Sequence, residues 1–208
     1  VIEKTFGRIP RPRRKLAATY TEEPAQDGER IVMLRRVGKV AAVGALSHIP
    51  AGPHPDFVPL NVLTDILSNS PTGRLYKSLV QTKRASSLQG DAYAFHDPGV
   101  IELMAQVTPG NDPRDVLNRL TDTIDLVLSK GVTDEEVKRS QARFLRQREQ
   151  AANNTSRLAV QLSEWAAQGD WRMYFVARDR LEQVTAADVK RVARAYLVEN
   201  NRTVGLFL

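Results

Sequence analysis

The sequence predicts one α+β domain, a mostly antiparallel sheet with helices packed on one face, and three observations carry that expectation. In residues 100–107, Ile101, Leu103, Ala105 and Val107 alternate with Glu102, Met104 and Gln106. A period of two marks a strand with one buried face. Further on, Val116, Leu117, Leu120, Ile124, Val127 and Leu128 fall in one stripe at helical spacing, so a helix there also has one buried side. The order ββ-αα-ββ-αααα-β then sets paired strands apart from blocks of helix. That argues for α+β rather than for a doubly wound parallel sheet.

Residues 1–28 read as an extended linker. Pro10, Pro12 and Pro24 interrupt them, and a basic run (Arg8, Arg11, Arg13, Arg14, Lys15) gives way to Glu22, Glu23, Asp27 and Glu29. The domain proper is expected over 29–208. Strands are predicted over 29–37 and 40–49, joined as a hairpin through Gly38-Lys39. A loop, Ala51-Gly52-Pro53-His54-Pro55-Asp56, leads into a helix over about 56–68, and Gly73 to Thr82 forms a short second one. Strands follow over 86–95 and 100–107, either side of Asp97-Pro98-Gly99, a turn signal.

Asp112-Pro113 opens the amphipathic helix, with Pro in the first turn where its missing N–H is harmless, and Gly131 ends it. Thr133 and Glu136 form a capping box, with Val132 and Val137 able to staple across it. The helix that follows is expected to be long, with Val137, Phe144, Ala151, Leu158 and Trp165 at sevenfold spacing and a kink at Asn153-Asn154. Another helix covers about 170–182. Val184-Thr185 with Asp188-Val189 repeats the capping arrangement for the last helix, to about Leu197. Residues 202–208 close the chain as a strand with Val204, Leu206 and Leu208 on one side.

The chain has 208 residues, 42% of them hydrophobic, which is enough for a sizeable core. No apolar run approaches the roughly 18 residues that a membrane span needs. Cysteine is absent, which excludes disulfides and thiolate metal sites. The net charge of +6 raises a nucleic-acid reading. Arg74 to Lys83 and the series Arg139, Arg143, Arg146 and Arg148 are its candidate patches, though few aromatic residues stand near them for stacking.

No catalytic constellation is legible. The three histidines, His48, His54 and His96, make no i,i+4 pair, so neither H-E-x-x-H nor H-x-x-E-H exists. With Asp56 and Asp97 they could converge on a metal only by accident of the fold. A G-x-S-x-G elbow and a Gly-rich phosphate loop are missing as well. The catalytic and metal residues expected of this chain are therefore none, and it needs no cofactor of its own.

A series of short motifs carries a resemblance. Tyr20-Thr21-Glu22-Glu23-Pro24 comes first, then Ala51-Gly52-Pro53-His54-Pro55-Asp56 after the strand pair, then Gly73-Arg74-Leu75-Tyr76 before a short helix. Val132-Thr133 with Glu136-Val137 follows, then Val184-Thr185 with Asp188-Val189 and Ala195-Tyr196, and Asn201-Arg202-Thr203-Val204 enters the last strand. In order and spacing, from about Tyr20 to the end, this series resembles the second-type domain of the pitrilysin/insulinase family of zinc metallopeptidases. That family includes the mitochondrial processing peptidases.

The resemblance implies a LuxS/MPP-like metallohydrolase fold. It also implies a parent protein in which such domains come in pairs around an unfolded peptide. A preceding domain would carry H-x-x-E-H and bind zinc, and this one would not. Family proteins place an Arg in the helix after the Gly-x-Leu segment of their second half, and a Tyr seven residues later, to hold the substrate carbonyl. Those positions fall here on Val80 and Ser87, which do not match. The implied place is therefore beside the zinc domain in the first half, and no substrate-binding residue can be assigned.

The partners implied are that zinc domain, the second half of the same protein and its unfolded peptide substrate, with self-association expected of the isolated chain. The compartment implied is the periplasm or cytoplasm of a bacterium. A proteolytically inactive core-subunit-like assembly protein, a basic nucleic-acid-binding module and a stand-alone hydrolase are the rival readings.

Overall fold

The structure is a computed structural model, which describes residues 2–10, 26–38 and 40–208. In chain order its elements are α1 (Ile2–Phe6), β1 (Arg30–Leu34), β2 (Ala42–Ile49), α2 (Phe57–Ser68), β3 (Ala85–Tyr93), β4 (Gly99–Val107), α3 (Pro113–Lys130), α4 (Asp134–Ala152), α5 (Thr155–Ala167), α6 (Met173–Gln183), α7 (Ala186–Tyr196) and β5 (Arg202–Phe207). A π-helical turn covers Tyr76–Val80 and a 3-10 turn Glu199–Asn201.

The five strands lie in the order β1-β5-β2-β4-β3. All pairings are antiparallel except that of β1 with β5, so the sheet is mixed. The expected hairpin between the first two strands does not form, because β5 lies between them. β2 already has long antiparallel partners on both sides, eight residues against β4 and six against β5. The short β1 is left the outer edge of β5 and runs parallel to it. Lys39 of the proposed turn lies outside the described residues.

Alternation along the strands sets the two faces. In β2, Val43, Ala45, Ser47 and Ile49 are buried, and the opposite residues of β4 and β5 (Ile101, Leu103, Ala105, Val204, Leu206) share that side. The helices cover it. α2 lies centrally, with ten of its twelve residues buried, among them Leu60, Val62, Leu63 and Leu67. α7 packs beside it, α3 packs beside α7, both α3 and α7 lie against β2, and α4 and α6 pack on α2. Each fully buried Leu contributes roughly 1.5–3 kcal/mol of transfer free energy, which is why this one cluster orders the domain.

The helix signals act as read. Asp112 accepts a hydrogen bond from the Arg114 N–H, and Gly131 ends α3 at φ 76°. Both capping boxes close, at Thr133 with Glu136 and at Thr185 with Asp188. The long kinked helix, however, is two helices. Asn154 leaves helical geometry and its side chain caps Arg157, so α5 starts afresh at Thr155. α5 has no buried residue and packs mainly on α4 and α6. Within the expected linker, Ile2–Phe6 is helical instead of extended, while residues 11–25, including most of the basic run and the Tyr20–Pro24 motif, lie outside the described residues.

Candidate functional site

Two of the three histidines hold loops through Nδ1. His54 Nδ1 accepts from the Asp56 N–H at 3.1 Å, and His96 Nδ1 meets the Gln168 carbonyl at 3.0 Å. His48 lies on β2, where its carbonyl accepts from Asn201 Nδ2 at 2.9 Å. Among the described residues no group of three or more His, Asp or Glu could hold a metal ion. The described donor set therefore does not fit a zinc site.

The Ala51–Asp56 loop is held by the C-terminal helices. Asp56 accepts from Arg191 at 2.7 Å and from the Tyr196 hydroxyl at 2.9 Å. Arg180 donates to the Pro53 carbonyl at 3.0 Å. The Arg191 guanidinium is the main reason the Asp56 carboxyl sits below the ordinary carboxylate range. Burial first, and then the bond to Asp56, push the Tyr196 phenol up to about 12, so it stays a donor. Motifs distant in sequence thus meet to fix a loop.

A second junction joins two more motifs. Arg74 makes a bidentate pair with Glu136, at 2.8 and 2.7 Å, and Glu136 also caps α4. Gly73 donates to the Asn69 carbonyl at 2.6 Å, and a Cβ on it would sit 2.7 Å from three backbone atoms. Only glycine lets the chain pass so close to the end of α2.

Several arginines of the candidate patches are spent on internal partners. Arg143 pairs with buried Asp65 and donates to Asn69 Oδ1. Arg139 pairs with Glu135, and Arg148 stacks over Tyr174 while donating to its carbonyl. Arg202, itself buried, pairs with Glu29 at 2.7 Å and Asp125 at 3.2 Å. Apart from Arg139 with Glu135, an i,i+4 pair, the composition signalled none of these ion pairs, because Asp65, Glu29 and Asp125 lie far off in sequence from their partners.

Val80 ends the π-helical turn and packs, half-buried, against the core. Ser87 lies exposed on β3, its hydroxyl donating to Gln106 Oε1 at 3.3 Å.

No described helix packs on the other face of the sheet. Val32, Leu34, Leu46, Met104 and Phe207 rise around Gly44 and Gly205, which lie opposite one another, and together they line a groove of about 280 Å³. Glu102, Asp91 and Gln89 make the β3 side of this face polar.

Over residues 1–144 the chain matches the family described as the peptidase M16 inactive domain. The chain belongs to this family. A "putative zinc protease" from Bordetella pertussis Tohama I is 40% identical, with a TM-score of 0.77, over 82% of this chain and 95% of that one. The inactive peptidase domain of a like-named protein from Bordetella parapertussis is 39% identical, with a TM-score of 0.76, over 84% of this chain and 96% of that one. A protease from Helicobacter pylori shares the fold, with a TM-score of 0.92 at 19% identity over 99% of this chain, which spans about half (51%) of that protein. No curated protein matches the chain. The M16 inactive domain is thus a non-catalytic pitrilysin-like unit of mixed sheet and one-sided helices. None of its described helices is long and apolar enough to cross a membrane.

Proposed function

We propose that this M16 inactive domain forms the wall and brace of a peptide-degrading zinc metallopeptidase, with the zinc site in a domain that precedes it in a longer chain. The observation that carries the reading is the bare apolar face of the sheet. Contacts between domains of one chain bury roughly 600–1,500 Å², and an apolar face of this kind is what such a contact covers. Val80 and Ser87 support a place beside the zinc domain, since neither can hold a substrate carbonyl as Arg and Tyr would. The internal pairing of Arg74, Arg143, Arg148 and Arg202 weighs against the nucleic-acid reading.

The test has two arms. The purified chain, with or without added zinc, is expected to leave unfolded peptides intact; cleavage sensitive to a chelator overturns the non-catalytic role. The preceding domain of the parent protein, produced separately, is expected to bind the chain, with Leu46→Arg combined with Phe207→Arg weakening that binding about tenfold or more. Failure to bind overturns the bracing role.

A further inference from the structure

The two edges of the sheet differ. β3 is protected in the usual ways: its register slips between Ala85 and Ser87, and it carries Ser86, Ser87, Gln89 and Asp91. β1 has no such protection from Ile31 to Leu34. Ile31 is 67% exposed, Val32 57% and Leu34 52%, and no described strand pairs with the outer side of β1. An unpaired apolar edge of this kind presents backbone groups to which another strand can pair.

The hydrogen bonds of β1 define what that strand must be. Leu34 accepts from the Leu208 N–H, and the Arg36 N–H donates to the Leu208 carbonyl, so these groups point inward to β5. Alternation then turns the backbone groups of Ile31, Met33 and Arg35 outward. We infer that β1 is the docking edge for a second copy of this chain, paired antiparallel about Val32 so that the two sheets become one. In that register Ile31 faces Met33 of the second copy, Val32 faces Val32, and Glu29 faces Arg35. The outward groups meet as hydrogen-bonded pairs, as an antiparallel ladder requires.

Charge selects this register. Beside β1, Glu29 and Asp125 share one guanidinium, that of Arg202, which leaves one negative charge over. The exposed Arg35 of the second copy comes to Glu29 and balances it, and the two-fold symmetry repeats the pair at the other end. Gln26 Oε1, buried without a donor, lies on the same junction, where its amide donates to the Arg202 carbonyl. The side chains of β1 also gain cross-strand neighbours, Val32 against Val32 and Ile31 against Met33. This inference does not rest on the peptidase reading: it uses the outward backbone groups of β1, although Val32 and Leu34 also line the open-face groove.

Sedimentation of the chain over a concentration series tests it, with Met33→Pro and Arg35→Glu as variants. Met33→Pro removes an outward N–H and leaves the β1–β5 ladder intact. Arg35→Glu puts a carboxylate against Glu29. The expected result is a concentration-dependent dimer whose dissociation constant rises about tenfold or more in each variant, with amide exchange at Ile31 and Met33 slowed in the dimer. Circular dichroism shows whether Met33→Pro keeps its fold; if it does not, Arg35→Glu decides alone. A chain that stays monomeric throughout overturns the inference. So does a dimer in which the Ile31 and Met33 amides exchange as freely as in the monomer.

Discussion

Arg74 and Glu136, sixty-two positions apart, form a bidentate ion pair at 2.7–2.8 Å that fastens the π-helical turn to the first turn of α4. Glu136 is shared: the same carboxylate accepts from the Thr133 N–H and closes the capping box. One side chain therefore ends a helix and joins two segments. The Arg74 guanidinium, first among the causes, holds the Glu136 carboxyl down at about 2 against an ordinary 4.5.

Its folded value lies below its unfolded one, so Glu136 adds stability above pH 4.5 that is lost as pH falls towards about 2. Glu136→Gln is expected to cost about 1–3 kcal/mol at neutral pH. It is also expected to flatten the acid limb of the stability curve between pH 4.5 and 2. Urea unfolding at a series of pH values checks both, and an unchanged acid limb would show that other carboxylates dominate it.

The Asp56–Tyr196 bond predicts an effect at the alkaline end. Tyr196 is raised from 10.0 to about 12, so its contribution is present below pH 10 and is lost as pH rises through about 12. Tyr196→Phe should cost roughly 1 kcal/mol near neutrality and should remove the last phenol to titrate in an ultraviolet titration. A variant that keeps that late phenol would place the raised group elsewhere.

Gly73→Ala should be far worse than an ordinary glycine replacement. The added Cβ meets the Asn69 N and O and the Leu67 O at 2.7 Å, all backbone and unable to swing away. Gly73→Ala is expected to lose about 2 kcal/mol or more, whereas Gly28→Ala, with nothing near its Cβ, should be nearly neutral. Equal urea midpoints for the two variants would contradict the close approach.

The elements legible in the sequence were those defined by local chemistry. The caps at Asp112, Thr133 and Thr185, the alternation at 100–107 and the stripe at 116–128 need only neighbours within a turn or a strand. Pairing partners were not legible. Gly38 followed by a second strand looks like a hairpin, yet competition for the edges of β2 decides the matter, and that depends on β4 and β5 far along the chain. Sevenfold spacing from Val137 to Trp165 suggested one long helix, but it passes straight through Asn154, whose side chain is worth more as a cap than as a helical residue. The buried charges, Asp65 with Arg143 and Arg202 with Glu29, were equally hidden, since a lone Asp or Arg in a sequence carries no sign of burial.

Val80 and Ser87 allow a last test, of whether this domain could ever have held a substrate. A clamp needs a cation that reaches solvent from position 80 and a phenol at position 87. Val80 packs half-buried against the core at the end of the π-helical turn, beside fully buried Leu79. An Arg there must either bury its guanidinium without a partner or push the turn outward, at a cost of about 1–3 kcal/mol. Ser87 is exposed on β3 and loses only its bond to Gln106. A tyrosine suits a strand, so Ser87→Tyr should lie within about 0.5 kcal/mol of the parent. Val80→Arg is therefore expected to lower the urea midpoint clearly while Ser87→Tyr leaves it in place, and the double variant should bind unfolded peptide no better than the parent. If Val80→Arg proved neutral, the side chain at that position would reach solvent after all. Tighter peptide binding by the double variant would then reassign this domain to the clamping half of the protein.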